Sequence, residues 1–163
     1  MRINYENAYY EGELNAAGEP HGKGKMVWDN GDTYEGDFIN GVRQGYGEFY
    51  LASGASYLGE FLNDTCTGAG TFFSADNKTI VKGIFDNLKL IEGMYHQSID
   101  EFDDRDLIAI FENGEAVSQY IQFDDGRVYY GERKGLVPHG YGMFVNENGE
   151  KTIGKFENGE IVD

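Results

Sequence analysis

Residues 10–14 read Tyr10-Glu11-Gly12-Glu13-Leu14, and the phrase returns as Tyr34-Glu35-Gly36-Asp37-Phe38 and as Tyr57-Leu58-Gly59-Glu60-Phe61. The three copies start 24 and then 23 residues apart. A fixed period of this length is typical of stacked small units rather than of one folded globule. Because the same glycine and aromatic positions recur in the copies, we expect these residues to build the repeating unit.

Each repeat has the pattern of a β-hairpin. Its opening pentad alternates apolar or small residues with acids, which is the period of a half-buried strand. In the second copy Asn40-Gly41 follows, and Asn-Gly between alternating segments is a strong hairpin signal. A Gly-x-Gly segment and an aromatic residue complete the unit, as in Gly45-Tyr46-Gly47 before Phe49. Since glycine has no Cβ, a Tyr or Phe ring can lie across its bare backbone.

The first repeat resembles the MORN family (membrane occupation and recognition nexus). The family phrase is Tyr-x-Gly-x-aromatic, then Gly, then His-Gly-x-Gly. Residues 10–14, Gly18 and His21-Gly22-Lys23-Gly24 fit it, with Leu14 in the aromatic position. The resemblance implies an array of repeats, and repeats of this family also occur next to kinase or methyltransferase domains.

Later repeats fit the same phrase with some departures. The copies that begin at Tyr34 and Tyr57 have Gln44 and Thr67 where the family usually has histidine. The phrase returns near the C-terminus at Tyr130-Gly131-Glu132, Gly135, His139-Gly140-Tyr141-Gly142, Gly154-Lys155-Phe156 and Asn158-Gly159.

Four further segments open weaker repeats. They are Val81–Phe85, Leu107–Phe111, Val128–Glu132 and Thr152–Phe156. We therefore predict a single repeat domain over residues 1–163, with openers near 10, 34, 57, 81, 107, 129 and 152 and a degenerate part at 86–128. Seven openers leave no room for a separate catalytic domain. Within Ser98–Asp106, either a solvated acidic loop or a short capped helical turn fits the sequence.

The predicted fold is all-β: an elongated, single-layer array of stacked antiparallel β-hairpins. The formal net charge of −16 repels nucleic acid and anionic lipid and favours basic partners. The single cysteine, Cys66, rules out an intrachain disulfide and fits a reducing, cytoplasmic location. The N-terminus lacks the pattern of a signal peptide, no apolar stretch approaches a membrane span, and only Lys23 with Lys25 and Arg133 with Lys134 come close to a basic cluster.

No cofactor, metal or catalytic residue is predicted. The Gly-x-Gly segments recur in each clear unit and lack the P-loop spacing, so we interpret them as structural. His21 and His139 occupy equivalent repeat positions and are predicted to be turn or core residues, and no zinc-site spacing occurs. The many carboxylates form regular rows rather than a pair in contrasting environments.

The function that the sequence favours is a noncatalytic protein-binding scaffold or adaptor, because repeat arrays present long grooved surfaces. The partner is predicted to be a basic or mixed basic-apolar protein segment along the first three repeats. The candidate contact residues are the rings Tyr10, Trp28, Tyr34, Phe38, Phe49, Tyr57 and Phe61 and the acids Glu11, Glu13, Glu35, Asp37 and Glu60. The alternative for the rings is burial between hairpins, since the array has no other core.

Two rival functions stay open at this stage. An acidic inhibitor of a basic protein, such as an immunity protein or antitoxin against a nuclease, would suit the small size and the negative charge. An enzyme would need a pocket with convergent polar groups and perturbed carboxylates, and the sequence indicates no such set.

Overall fold

The computed structural model describes residues 1–98 and 105–162, and these residues contain strands and turns but no helix. The strands are β1 (Arg2–Asn4), β2 (Ala8–Leu14), β3 (Pro20–Trp28), β4 (Thr33–Ile39), β5 (Val42–Tyr50), β6 (Ser56–Leu62), β7 (Thr65–Phe73), β8 (Thr79–Asp86), β9 (Lys89–Ser98), β10 (Arg105–Glu112), β11 (Glu115–Phe123), β12 (Val128–Lys134), β13 (Val137–Val145), β14 (Lys151–Glu157) and β15 (Glu160–Ile161). The prediction of an all-β fold built from stacked hairpins is confirmed.

The chain divides into two compact units, Met1–Gly93 and Met94–Asp163. In each unit, strands that follow one another in the chain pair antiparallel in a single layer. A single repeat domain over residues 1–163 stays a prediction. The loop or helical turn expected within Ser98–Asp106 falls on residues 99–104, which lie outside the described part of the chain.

Each predicted opener lies in the first strand of a hairpin, and tight turns join the two strands. Asn40 and Gly41 have φ values of 50° and 85°, the positive pair that a two-residue type I′ turn requires. Asn63 and Asp64 adopt the same geometry, with φ values of 50° and 67° and no glycine. Asn and Asp tolerate this region better than other non-glycine residues, so the third repeat keeps its turn without the Asn-Gly signal.

A continuous row of paired glycines crosses the sheet of the first unit. The cross-strand partners are Gly12↔Gly24, Gly24↔Gly36, Gly36↔Gly47, Gly47↔Gly59, Gly59↔Gly70 and Gly70↔Gly83. An ideal Cβ on Gly36 would lie 2.6 Å from the Tyr34 hydroxyl and 2.7 Å from the Tyr46 carbonyl oxygen. The tyrosine ring therefore occupies the space that side chains would need in this row.

The opener tyrosines and the aromatic residues of neighbouring hairpins form a chain of edge-to-face contacts. The centroids of Tyr10 and Phe38 lie 5.1 Å apart, and those of Phe38 and Tyr34 also lie 5.1 Å apart. The chain continues through Tyr34–Phe61 at 4.9 Å, Phe61–Tyr57 at 5.5 Å and Tyr57–Phe85 at 5.4 Å. Each edge-to-face pair adds about 0.5–1.5 kcal/mol beyond the area it buries. The core is thus a row of interlocked rings along one face of the sheet.

A hydrogen bond fixes each opener tyrosine within its own strand. The hydroxyl of Tyr34 donates to the carbonyl oxygen of Asp37 at 3.1 Å, three residues along the chain. The other members of the set are Tyr10 to Glu13 at 2.7 Å, Tyr57 to Glu60 at 3.4 Å and Tyr129 to Glu132 at 2.8 Å. The ring can therefore be buried without leaving its hydroxyl unpaired.

The second unit repeats this arrangement around Tyr129. Its ring packs at 5.0 Å from Phe144 and 5.3 Å from Phe156, centroid to centroid. Tyr129 is 1% exposed whereas Tyr130 is 38% exposed. The buried opener ring of this repeat is therefore Tyr129. It lies one residue before Tyr130, where the family phrase was aligned in the sequence.

Replacing Gly36 by Val should lower the free energy of unfolding by at least about 1–3 kcal/mol, since overpacking of this kind strains the surrounding structure. The new side chain would overlap the Tyr34 hydroxyl and the facing backbone at Gly47. Equilibrium denaturation in urea measures the effect. Glu35→Val is the matched control, because it places the same side chain one residue earlier, on the opposite face. Equal midpoints for the two variants would refute the packing role of the glycines.

The buried tyrosines should make the fold sensitive to alkaline pH. Burial, reinforced by the Asp37 carboxylate, raises the pKa of Tyr34 to about 12. An unfolded tyrosine ionises near pH ~10. The stability tied to the neutral Tyr34 is therefore fully present below about pH 10 and is lost as the pH rises from there towards 12.

Urea unfolding across that pH range should show a falling free energy of unfolding, with a shallower decline in Tyr34→Phe, whose ring cannot ionise. An equally steep decline in this variant would mean that Tyr34 does not contribute to the pH dependence.

Candidate functional site

The sheet of the first unit has two chemically different faces. The core face carries the interlocked rings of Tyr10, Tyr34 and Tyr57 with their aromatic neighbours. The outer face carries the residues between them, including Glu11 and Glu35, which are exposed. Strand side chains alternate between faces, so these acids lie on the side of the sheet opposite the opener rings, as the alternation in the sequence predicts.

Five of the seven candidate rings form the core. They are Tyr10, Tyr34, Phe38, Tyr57 and Phe61, which are between 0% and 6% exposed. This is the alternative that the sequence left open for the rings, and these five cannot contact a partner without loss of the core. Trp28 and Phe49 are different, because both stay half-buried at the edge of the core cluster.

The core face of the first unit is only partly covered. Its half-buried apolar residues are Leu14, Met26, Trp28, Phe49, Phe72, Val81 and Leu90. Two depressions open on this face. One has Ile3, Ala8, Pro20, Met26 and Trp28 in its lining. The other, with a volume of about 400 Å³, is lined chiefly by Phe49, Leu51, Phe72, Val81, Leu88 and Leu90. A single-layer sheet has no second layer to cover these side chains, so the face offers an apolar surface.

Arg43 lies between these apolar side chains. Its guanidinium carbon lies 5.1 Å from the centroid of Phe49 and 5.6 Å from that of Trp28. Its Nε donates to the Asp64 carboxylate at 3.0 Å, and Nη2 donates to the Asp64 carbonyl oxygen at 2.8 Å. The Arg43 side chain thus packs against the two rings, while the Asp64 carboxylate balances the charge of its guanidinium. In the repeats Arg43 takes the position of Pro20 and Cys66, and comparing those positions could have revealed that it points inward.

The acids of the openers have two different tasks. Glu11 and Glu35 are exposed and form ion pairs with Arg2 at 3.6 Å and with Lys25 at 3.5 Å. Exposed pairs of this kind contribute little to stability, typically less than about 1 kcal/mol. Their carboxylates therefore remain available to a solvent-borne partner.

Glu13, Asp37 and Glu60 instead support a bulge in the facing strand. The Asp37 carboxylate accepts the backbone N–H of Tyr46 at 3.1 Å and the Lys23 ammonium at 2.7 Å. The Glu13 carboxylate accepts the N–H of Lys23 at 3.1 Å, and the Glu60 carboxylate lies directly over Gly68. Because the carbonyl oxygens of the same residues accept the tyrosine hydroxyls, these acids hold the hairpin together from both sides of the backbone.

The outer face carries a group that the repeat pattern does not predict. Glu48 lies directly opposite Glu35 across the strands, and like charges in this position destabilise a sheet. A shallow depression above the glycine row has Glu11, Glu35, Glu48, Tyr46 and Leu58 in its lining. Tyr46 is 53% exposed. The outer face therefore combines acids with an exposed ring, although not with the rings that were predicted.

In the first three repeats, the residue at the histidine position accepts a hydrogen bond from the next turn. His21 Nδ1 accepts the backbone N–H of Asn40 at 3.4 Å, and Gln44 Oε1 accepts that of Asn63 at 3.2 Å. Thr67 does the same for Asn87 through its hydroxyl at 3.4 Å. Any side chain that places a hydrogen-bond acceptor within reach of this backbone N–H can pair it, which explains why Gln44 and Thr67 can replace the histidine.

Residues 1–98 and 105–162 contain no cluster of three or more His, Cys, Asp or Glu side chains arranged to hold a metal ion. They also contain no helix long and apolar enough to span a membrane. Cys66 is buried against the core rings, and this burial raises the pKa of its thiol. A raised thiol pKa disfavours the reactive thiolate.

Comparison with protein families identifies the repeats. The model of the MORN repeat matches residues 10–33, 34–56, 57–79 and 137–151, which together make up just over half of the chain. The chain belongs to the MORN repeat family. Its members are in general modules that interact with proteins or membranes.

Two curated relatives share short stretches with this MORN protein. The inactive protein tyrosine kinase pTKL of Plasmodium berghei is 47% identical over 45 residues, which cover 28% of this chain and 3% of that protein. Alsin of Rattus norvegicus is 44% identical over 43 residues, which cover 26% of this chain and 2% of alsin. The matched stretch is therefore a small fraction of either relative.

Among solved structures, the TCP domain of SAS-4 (dCPAP) from Drosophila melanogaster, in complex with a proline-rich motif of Ana2 (dSTIL), is 15% identical, with 90% of each chain covered and a TM-score of 0.34. At this TM-score the likeness indicates neither a shared fold nor a shared function.

Replacing Asp37 by Ala should lower the free energy of unfolding by about 1–2 kcal/mol, because the N–H of Tyr46 loses a charged acceptor. Glu35→Ala should change it by less than about 0.5 kcal/mol, as is usual for an exposed surface position. Urea denaturation of both variants provides the test. Asp37→Asn, which keeps an acceptor oxygen, should fall between them, and equal effects of Asp37→Ala and Glu35→Ala would show that Asp37 is only a surface charge.

Proposed function

We propose that this MORN protein is a noncatalytic scaffold or adaptor, which holds a basic or mixed basic-apolar protein segment along its first three repeats. The observation that carries the proposal is the partly uncovered core face of the first unit, where Trp28, Phe49 and Phe72 stay half-buried. Contiguous apolar surface of this kind is typical of sites that bind proteins. Aromatic side chains are also prominent among the residues that dominate binding energy.

The charge distribution supports a basic partner. Glu11, Glu35 and Glu48 lie on the outer face of the same three repeats, and the chain carries a formal net charge of −16. Negative potential of this size speeds the encounter with a cationic segment. The acids Glu35 and Glu48 face one another across the strands, and the ion pair of Lys25 with Glu35 at 3.5 Å offsets part of the cost to the sheet.

Among the features of the described residues, only the negative charge supports the acidic-inhibitor hypothesis. Direct binding to anionic membranes is disfavoured by the charge, and the two basic residues closest to a cluster in the first repeat, Lys23 and Lys25, are engaged by Asp37 and Glu35. A cytoplasmic location stays a prediction.

The association rate with a captured protein partner should fall as salt rises, because the Debye length shrinks from about 10 Å at 0.1 M to about 3 Å at 1 M. Affinity capture from the native host followed by mass spectrometry identifies the partner, and surface plasmon resonance measures the rate. Combining Glu35→Lys with Glu48→Lys should slow association further. Glu147→Lys with Glu160→Lys, which makes the same change in net charge in the second unit, is the matched control.

If salt and the Glu35/Glu48 reversal leave the association rate unchanged, or the control pair slows it equally, the acids of the first three repeats do not steer the partner. Failure to capture any partner protein that binds the purified chain directly would contradict the scaffold function itself.

A further inference from the structure

The open side chains of the core face recur once per hairpin. Met26, Phe49 and Phe72 each lie directly opposite the tyrosine that opens their own hairpin, Tyr10, Tyr34 and Tyr57 respectively. Neighbouring strands of a sheet are about 4.8 Å apart, so the members of this row follow one another at about 9.6 Å. A ligand that makes the same contact with each hairpin must repeat at that distance.

The spacing discriminates between the conformations that a bound segment could adopt. One turn of polyproline II, three residues at ~3.1 Å each, advances about 9.3 Å and departs from the row by only about 0.6 Å after two hairpins. Two turns of an α-helix advance about 10.8 Å and depart by about 2.4 Å over the same distance. An extended strand returns to the same face every ~6.7 Å, which does not match the row.

The side chains of the row also suit such a segment. Prolines in polyproline II dock into grooves lined by aromatic residues, and the conformation is largely formed before binding, so little entropy is lost. Phe49 and Phe72 line the second depression, and Trp28 lines the first. The centroid of the Trp28 ring lies 5.7 Å from that of Phe49. The three rings thus flank one apolar path.

The charges beside this path select a basic partner. Glu6 and Glu19 both border the first depression, and both are exposed. Arg43, which lies among these rings, is ion-paired with Asp64 at 3.0 Å. A cationic side chain next to the prolines would therefore meet the carboxylates of Glu6 and Glu19, the latter hydrogen-bonded to the neutral Asn15 amide at 2.8 Å, and a guanidinium whose charge Asp64 already balances.

We propose that the core face of the first unit binds a basic, proline-rich protein segment in the polyproline II conformation, with one turn of the segment per hairpin. The prolines contact Met26, Phe49 and Phe72, with the Trp28 ring beside Phe49, and the basic side chains lie towards Glu6 and Glu19. This inference rests on the proposed scaffold function, and it assigns the face, the partner chemistry and the bound conformation.

Peptide titration monitored by the fluorescence of Trp28, the single tryptophan of the chain, tests the inference. The probe is a peptide of four Pro-Pro-Lys triplets, which contains no aromatic residue. Its controls are four Gly-Gly-Lys triplets, with the same charge and no preformed conformation, and four Pro-Pro-Glu triplets, with the same conformation and opposite charge. We expect the Pro-Pro-Lys peptide to bind about tenfold more tightly than either control, because both preorganisation and charge contribute.

Protein variants locate the site. Phe72→Leu keeps the core-face position apolar but removes the ring, and should weaken binding severalfold, whereas Phe73→Leu, one residue along on the outer face, should not. Glu6→Gln with Glu19→Gln should weaken binding about threefold or more, and Glu147→Gln with Glu160→Gln, which makes the same change in net charge in the second unit, should leave it unchanged. Thermal unfolding of each variant verifies that it is folded before titration.

The outcomes separate this inference from the scaffold function. The polyproline II site would be overturned if the Pro-Pro-Lys and Gly-Gly-Lys peptides bound with equal affinity, because charge alone would then explain binding. It would also be overturned if Phe73→Leu weakened binding and Phe72→Leu did not. A captured protein partner whose binding is insensitive to Phe72→Leu would overturn it as well and leave the scaffold function standing. Absence of any direct protein partner would overturn the scaffold function.

Discussion

The rest of this structure depends on the contact between an opener tyrosine ring and a bare pair of glycines. In the second hairpin the Tyr34 ring lies over Gly36 and Gly47, where any side chain would collide with it. The glycines would ordinarily weaken a strand, because they lose much conformational entropy and provide nothing to pack. Here the ring replaces the missing side chains, and its hydroxyl bonds to the carbonyl of Asp37 within the same strand. One residue thus fills the space of two.

The contact has a consequence for the hairpins as a group. Each tyrosine also touches the edge of an aromatic ring from a neighbouring hairpin, as Tyr34 touches Phe61, so no hairpin buries its own core alone. An isolated hairpin is marginal in water, and stacking of this kind is what makes a repeat stable. Because the core is built from rings lying along one face, the sheet needs no second layer, and the outer parts of the face stay open around Trp28, Phe49 and Phe72.

Some acids of the openers also make two stabilising contacts at once. A residue such as Asp37 serves the hairpin twice, since its carbonyl accepts the tyrosine hydroxyl and its carboxylate accepts the N–H of Tyr46 at the bulge. Glu35, two residues earlier, has only the Lys25 ion pair on the open face. The two acids of one pentad therefore have different roles. Asp37 stabilises the hairpin, whereas the Glu35 carboxylate remains exposed to solvent.

The sequence by itself determined the hairpins, their order and their turns, because these depend on local rules. The alternation around Gly36 and the Asn40-Gly41 turn specify a strand and a reversal without reference to the rest of the chain. Burial of the tyrosine rings was already one of its two alternatives for the core. The period alone indicated that each hairpin packs on the next.

Only the tertiary structure decided which side chains act together. The alternation of side chains along a strand places Glu35 and Tyr34 on opposite faces. It does not predict the bulge at Gly45, which brings the Asp37 carboxylate to the N–H of Tyr46. The ion pair of Arg43 with Asp64 and the like-charge pair of Glu35 with Glu48 depend on cross-strand register. Register and bulges are set by packing between strands, here between residues 9 to 21 positions apart in the chain, and a one-residue change would exchange the two faces. That is the physical reason why the candidate surface could not be read from the repeats alone.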